Sequence, residues 1–157
     1  MTTNSVNTVN PIIQQLSSNI TSVITCNTAI PYDDTIPQNT EGTEVATLSI
    51  TPVYNDSILK ITFYCSVTKD ANGGYINIAL FQDATVGALA AHGYKSDSTD
   101  GYDVGISHTM TSGTTSSTTF KIRIGSAADS CYLNGDTSGN RLMGGVANAR
   151  LIIKEYI

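Results

Sequence analysis

From Leu59 to Val67 the chain alternates strictly. Leu59, Ile61, Phe63, Cys65 and Val67 are apolar, and Lys60, Thr62, Tyr64 and Ser66 lie between them. Period two is strand geometry, because successive side chains point to opposite faces of the pleat. The run therefore reads as a half-buried strand with its odd positions in a core. Phe120, Ile122 and Ile124 repeat the pattern around two cations, Lys121 and Arg123. Ala46, Leu48 and Ile50 follow it, as do Ile76, Ile78 and Leu80. Tyr102, Val104, Ile106, His108 and Met110 form another such face. Residues 150–157 read as a last strand, and 20–26, 86–91 and 130–133 are shorter candidates.

Turn chemistry separates these runs. Asn55-Asp56, residues 70–74, residues 97–101, Asn134-Gly135-Asp136 and Gly144-Gly145 are clusters of Gly, Asn and Asp. Such residues reach positive φ or cap the backbone locally. About eight short strands with regular punctuation predict an all-β protein, an antiparallel β-sandwich or jelly roll. Residues 111–119 and 134–149 are rich in small residues and lack alternation, so the pattern leaves them unplaced. Composition agrees. Charged residues are 13% of the 157, against roughly a quarter in ordinary soluble domains. Thr, Ser and Asn make up about a third of the chain, so long charged amphipathic helices are excluded.

The first 25 residues differ. Val9, Ile12, Ile13, Leu16 and Ile20 sit in a polar setting at spacings of three, four and seven. The spacing fits a short helix or a brief heptad seam. Pro11 and the Asn, Ser and Thr content favour an extended arm. The expected division is therefore an N-terminal arm over residues 1–25, serving attachment or oligomerisation, and a sandwich domain over residues 26–157. The five apolar residues are the candidate attachment surface. The segment has no basic stretch followed by an apolar one, as a secretory signal would. No run approaches the roughly 18 apolar residues of a membrane helix.

The net charge of -5 and the eight scattered basic residues argue against nucleic acid, whose binding depends on Lys and Arg replacing counterions. Cys26, Cys65 and Cys131 are odd in number and too widely spaced for a CxxC zinc site, so they read as small buried hydrophobes in a reducing cytoplasm. His92 and His108 form no metal-binding pair. No GxSxG nucleophile elbow is present. Asp33-Asp34, between Pro31 and Pro37, reads as a rigid turn in which Asp caps the following amides. Asp97, Asp100 and Asp103 read as a solvated turn, with a divalent cation or a catalytic pair as the alternatives. No cofactor is implied. Eight tyrosines and no tryptophan leave a sugar platform open. Outer strand faces of Thr, Ser, Asn, Ala and Tyr favour burial between subunits, since charge there would be costly to desolvate.

Residues 28–42, Thr-Ala-Ile-Pro-Tyr-Asp-Asp-Thr-Ile-Pro-Gln-Asn-Thr-Glu-Gly, resemble a stretch that recurs in tailed-bacteriophage virion proteins. The strand Leu48-Ser49-Ile50-Thr51-Pro52 and the strand entered at Asn55 follow it as they do there. Ala79-Leu80-Phe81-Gln82-Asp83 and Ala88-Leu89-Ala90-Ala91 also fit, and the likeness covers about residues 28–95. The resemblance is to jelly-roll-like modules of phage tail fibres and other virion-surface proteins, including head decoration proteins. It implies a non-enzymatic homotrimer on a virus particle, assembled in the host cytoplasm. The partners it implies are other copies of the chain, the major capsid protein or another tail protein, and, for a fibre, a host surface glycan. In fibres the module ends a long shaft, whereas here only about 25 residues precede it. That suits a capsid decoration, or cement, protein, with a tail-fibre or tail-tip module as the alternative.

Overall fold

The computed structural model describes residues 10–70, 74–97, 99 and 101–157. Its ten strands are β1 (Ile12–Ile20), β2 (Ile24–Cys26), β3 (Thr43–Ile50), β4 (Ile58–Lys69), β5 (Tyr75–Gln82), β6 (Ala90–Lys95), β7 (Tyr102–Thr111), β8 (Thr118–Ser126), β9 (Cys131–Leu133) and β10 (Ala149–Tyr156). Sheet I runs β1-β10-β4-β9-β2, with β7 along the other edge of β4. Sheet II runs β3-β8-β5-β6. All pairings between strands are antiparallel. The protein is an all-β sandwich, as the alternation predicts. Among the described residues no helix is long and apolar enough to cross a membrane.

The core lies between the sheets. Leu59, Ile61, Phe63, Cys65 and Val67 of β4 are buried, facing Ile76, Ile78 and Leu80 of β5 and Phe120, Ile122 and Ile124 of β8. Leu151 and Ile153 of β10 join them. A register irregularity between Glu44 and Ala46 turns both Val45 and Ala46 inward on β3. That irregularity is invisible in the alternation. One edge of the sandwich is tied side chain to backbone: the Tyr94 hydroxyl of β6 accepts from the Gly105 N–H of β7 at 2.9 Å and donates to the Gly105 carbonyl.

Where it is described, the segment expected as an N-terminal arm is extended and joins sheet I. Residues 12–20 are β1, an edge strand that pairs with β10 from Ile12↔Tyr156 to Ile20↔Ala149. Leu16 and Ile20, partly buried, pack against the core. The reason is alternation on a polar background: Gln14, Leu16, Ser18 and Ile20 face in, while Gln15, Ser17 and Asn19 face out. Two apolar residues on one strand face suffice when a finished sheet offers an unpaired edge. The irregularity between Ile12 and Gln14 leaves Ile12 half exposed and Ile13 half-buried. Val9 lies outside the described residues.

The shorter strand candidates shift slightly. The 86–91 candidate becomes β6 at Ala90–Lys95, and the 20–26 candidate becomes the end of β1 plus β2. Residues 134–148 form a long connection containing a 3-10 turn at Met143–Gly145.

Candidate functional site

The outer face of β5, in the middle of sheet II, is covered. Residues 28–42, the segment carrying the resemblance, cross it as a strap. Ile30 is buried on the outer side against Ala79 and Phe81 of β5, with Ala88 beside them. Asn77 Nδ2 donates to the Ile30 carbonyl at 2.8 Å. Arg123 fastens the far end, its Nε donating to the Glu41 carbonyl at 2.7 Å and its Nη2 to the Gly42 carbonyl at 2.9 Å. The Asn39 N–H donates to Val86 and the Ala88 N–H to Pro37, at 2.8 and 2.9 Å. Two glycines allow the approach. A Cβ at Gly125 would stand 2.4 Å from the Thr28 carbonyl oxygen, and one at Gly93 would stand 2.5 Å from the Tyr32 ring.

Beneath the strap's tip lies a hollow of about 160 Å³, lined by residues including Tyr32, Asp33, Thr35, Asn77, His92 and Gly93. Tyr32 is 56% exposed and stacks on Tyr75, with ring centroids 3.5 Å apart and planes 9° from parallel. The hydrogen bond with Tyr75 raises the Tyr32 phenol above its ordinary value. The His92 ring lies 4.6 Å from that of Tyr94. Asn77 Oδ1 is buried without a hydrogen-bond partner. Asp33 is committed to a turn, accepting from the Thr35 N–H at 2.9 Å and its hydroxyl at 2.5 Å. That is the capping role read from the two prolines. An aromatic wall beside an unsatisfied acceptor can hold a small hydroxyl-bearing group.

Two larger clefts flank the sheets. One, of about 640 Å³, is lined by Asn39, Phe81, Asp83, Thr119, Lys121 and Arg123 among others. Its polar groups are engaged: Asp83 accepts from the Thr119 N–H at 2.8 Å and the Thr118 hydroxyl at 2.9 Å. The other, of about 500 Å³, lies between Tyr64, Cys65, Val104 and Gly105 and the connection at Leu142 and Met143. Met143, Gly144 and Gly145 take positive φ in succession. They leave Met143 79% and Val146 76% exposed.

The remaining sequence candidates fall apart in space. Asp97 pairs with Lys95 at 3.1 Å, both well exposed, Asp103 is an exposed residue of β7, and Asp100 lies outside the described residues. Among the described residues no three His, Cys, Asp or Glu side chains gather as a metal site. The three cysteines are free and buried. Burial pushes the Cys65 thiol well above its ordinary value, and a hydrogen bond with Cys131 together with burial does the same for Cys26.

Sequence reasoning missed Glu155. It stands on the inward face of β10 at 0% exposure. Its Oε1 accepts from the Val53 N–H at 2.8 Å, the Tyr54 N–H at 3.3 Å and the Ser57 hydroxyl at 2.6 Å. Its Oε2 accepts from Gln14 Nε2 at 2.6 Å. The one signal was its phase: Leu151, Ile153 and Glu155 share a face.

No protein-family model matches the chain, and no curated protein matches it in sequence. Solved structures resemble it at low identity. The CBM22-1 xylan-binding domain of Paenibacillus barcinonensis Xyn10C gives a TM-score of 0.43 at 14% identity, covering 93% of this chain and 95% of that one. A chain of infectious bursal disease virus, Gt strain, gives 0.45 at 11%, covering 100% of this chain and 41% of its own length. Dimeric latent PorU from Porphyromonas gingivalis gives 0.39 at 9%, covering 96% of this chain and 14% of its own. At scores this low the neighbours' functions do not transfer, and the sandwich assignment rests on the sheet topology itself.

Proposed function

We propose that the chain is a non-enzymatic structural protein of a tailed-bacteriophage particle: a homotrimeric decoration, or cement, protein on the capsid exterior, bound to the major capsid protein. The observation that carries this reading is the strap. The segment that resembles phage virion proteins is built as scaffold. Ile30 plugs the outer face of sheet II, and Arg123 and Asn77 hold the strap's carbonyls. Its side chains fasten backbone rather than converge on a reacting atom.

The second reading is a tail-fibre or tail-tip module that binds a host receptor or surface glycan. The hollow beside Tyr32, Asn77 and His92 favours it. Absolute quantitation of this chain against the major capsid protein in purified particles separates the two. A copy number that scales with capsid subunits supports decoration, and a handful of copies per particle supports the tail. Light scattering should give three times the chain mass of 16.6 kDa, and a monomer at micromolar concentration would remove the trimer from the proposal.

A further inference from the structure

The outer face of sheet I presents four neighbouring strands in the order β1, β10, β4, β7. The register places its side chains in rows. Lys154 of β10 stands directly opposite Lys60 of β4, with Gln15 and Thr109 as their outer neighbours. In the next row Ile152 faces Thr62, flanked by Ser17 and Ser107. Arg150 faces Tyr64 in the row beyond. The acid on these rows is Asp103, at the far corner beside Ser66.

Like charges directly opposite one another on a sheet destabilise it, so the Lys60–Lys154 pair is not explained by folding. The rest of the chain's cations show the contrast. Lys69, Lys95, Lys121 and Arg123 all have carboxylate partners. Among the described residues, Lys60, Lys154, Arg150 and Arg141 have none, and three of those four share this face. Between the two lysines lies a hollow of about 140 Å³, walled by Thr62, Ile152 and Tyr156. It offers two ammonium groups and a hydroxyl beside an aromatic ring.

We infer that this face is a docking surface for an acidic polysaccharide, with a carboxylate seated between Lys60 and Lys154. Charge selects an anion. Area selects the kind of polymer. Four strands about 4.8 Å apart, carrying four outward rows about 6.8 Å apart, give the face roughly 500 Å², whereas stable protein interfaces need about 800 Å² per partner. A second copy related by a two-fold axis would set lysine against lysine. A sugar chain needs only a narrow track, and the hydroxyls and amides of Gln15, Ser17, Ser107 and Thr109 supply exchangeable hydrogen bonds along it. The net charge of -5 does not forbid this. Screening over about 8 Å at physiological salt leaves the local cations dominant, and Asp33, Asp34 and Glu44 belong to the strap side. The inference deepens the glycan-binding reading but concerns the isolated chain, so it is tested independently of copy number or particle location.

The test uses the full chain and three probes: polygalacturonate, neutral dextran and poly-glutamate, each by calorimetry at low and high salt. Binding of polygalacturonate that weakens with salt, with no binding of dextran, is expected. The double variant Lys60→Glu with Lys154→Glu should lose at least tenfold in affinity, while Lys60→Arg with Lys154→Arg stays close to wild type. Thermal melting of both variants should stay close to wild type, since each keeps one like-charge pair opposite across β4 and β10. Absence of polygalacturonate binding at low salt overturns the inference, as does a charge-reversed variant that is folded and binds within twofold of wild type. Poly-glutamate binding as tight as polygalacturonate would overturn the polysaccharide assignment in favour of an acidic protein surface.

Discussion

Replacing Glu155 by Ala should destabilise the fold more than any surface substitution. The carboxylate gathers four donors, but they are not equally dependent on it. Ser57 Oγ also reaches the Tyr54 carbonyl at 2.8 Å, and Gln14 Nε2 also donates to Thr51 at 2.9 Å. The Val53 and Tyr54 N–H groups lose their acceptor outright. A buried donor left unsatisfied costs about 1–3 kcal/mol. The Tyr54 bond is long, so Ala should cost about 2–4 kcal/mol in total. For a domain of this size that lowers Tm by roughly 5–15 °C. Gln can keep its carbonyl oxygen on the Val53 side but turns an amide toward Gln14, and should cost about half as much.

The pH dependence gives a sharper check. Burial pushes the Glu155 carboxyl up, but the bonds from Ser57, Gln14, Tyr54 and Val53 together outweigh it and hold the group below its ordinary value. A depressed native value stabilises the fold above the unfolded pKa, and that contribution is lost as pH falls through the native value. The stability gap between wild type and Glu155→Gln, from urea melts, should be full at pH 6–7 and shrink below about pH 4, as the wild-type group protonates. A gap that stays constant down to pH 3, or an Ala variant within 0.5 kcal/mol of wild type, would refute the reasoning.

Other outcomes follow from the packing. Gly125→Ala must push the strap away from sheet II, because the obstructing atoms are backbone. Limited proteolysis within residues 28–42 should accelerate severalfold, and unchanged cleavage would show that the strap is not held there. Removing residues 1–20 deletes β1, exposes the edge of β10 and loses the burial of Leu16 and Ile20. Each fully buried side chain of that size is worth about 1.5–3 kcal/mol, so a marked drop in Tm is expected, and an unchanged melt would restore the detached arm. Cys65, buried and with its thiol raised, should react with a thiol reagent only at the rate of global unfolding. Rapid labelling of the native protein would contradict the register of β4.

Period two placed the long strands because one face of each meets the core and the other does not. From Leu59 to Val67 of β4 and from Phe120 to Ile124 of β8 the burial follows it to the residue. β5 shows where the rule stops. Ile76, Ile78 and Leu80 face the core, yet Asn77, Ala79 and Phe81 are buried too, under the strap. Alternation reports one buried face and is silent about what a distant segment lays on the other. The strap itself was legible as a rigid turn, since Pro31, Asp33 and Pro37 are local signals. Its destination depends on contacts with residues some fifty to a hundred positions away. β1 escaped for a similar reason. Two inward apolar residues are too few to signal a strand until β10, at the opposite end of the chain, supplies the edge.

The charged groups sort themselves by what already holds them. Glu155 and Lys69 are both fully buried. Glu155 lies where β10 meets the start of β4 and gathers the turn at residues 51–57. Lys69, at the other end of β4, pairs with Asp129 of the connection between β8 and β9 at 2.6 Å. Each ties a loop to an end of the same central strand. A carboxylate that already accepts four hydrogen bonds has little capacity left to take a proton or attack a substrate, and breaking a buried ion pair is strongly destabilising. Buried charge in this protein is therefore scaffold. The charges left to act outside the fold are those with no carboxylate partner, and among the described residues the face of sheet I holds three of the four such cations, Lys60, Lys154 and Arg150. If that is right, neutralising Lys60 or Lys154 should change what the protein binds and not how it folds, whereas neutralising Lys69 should do the reverse.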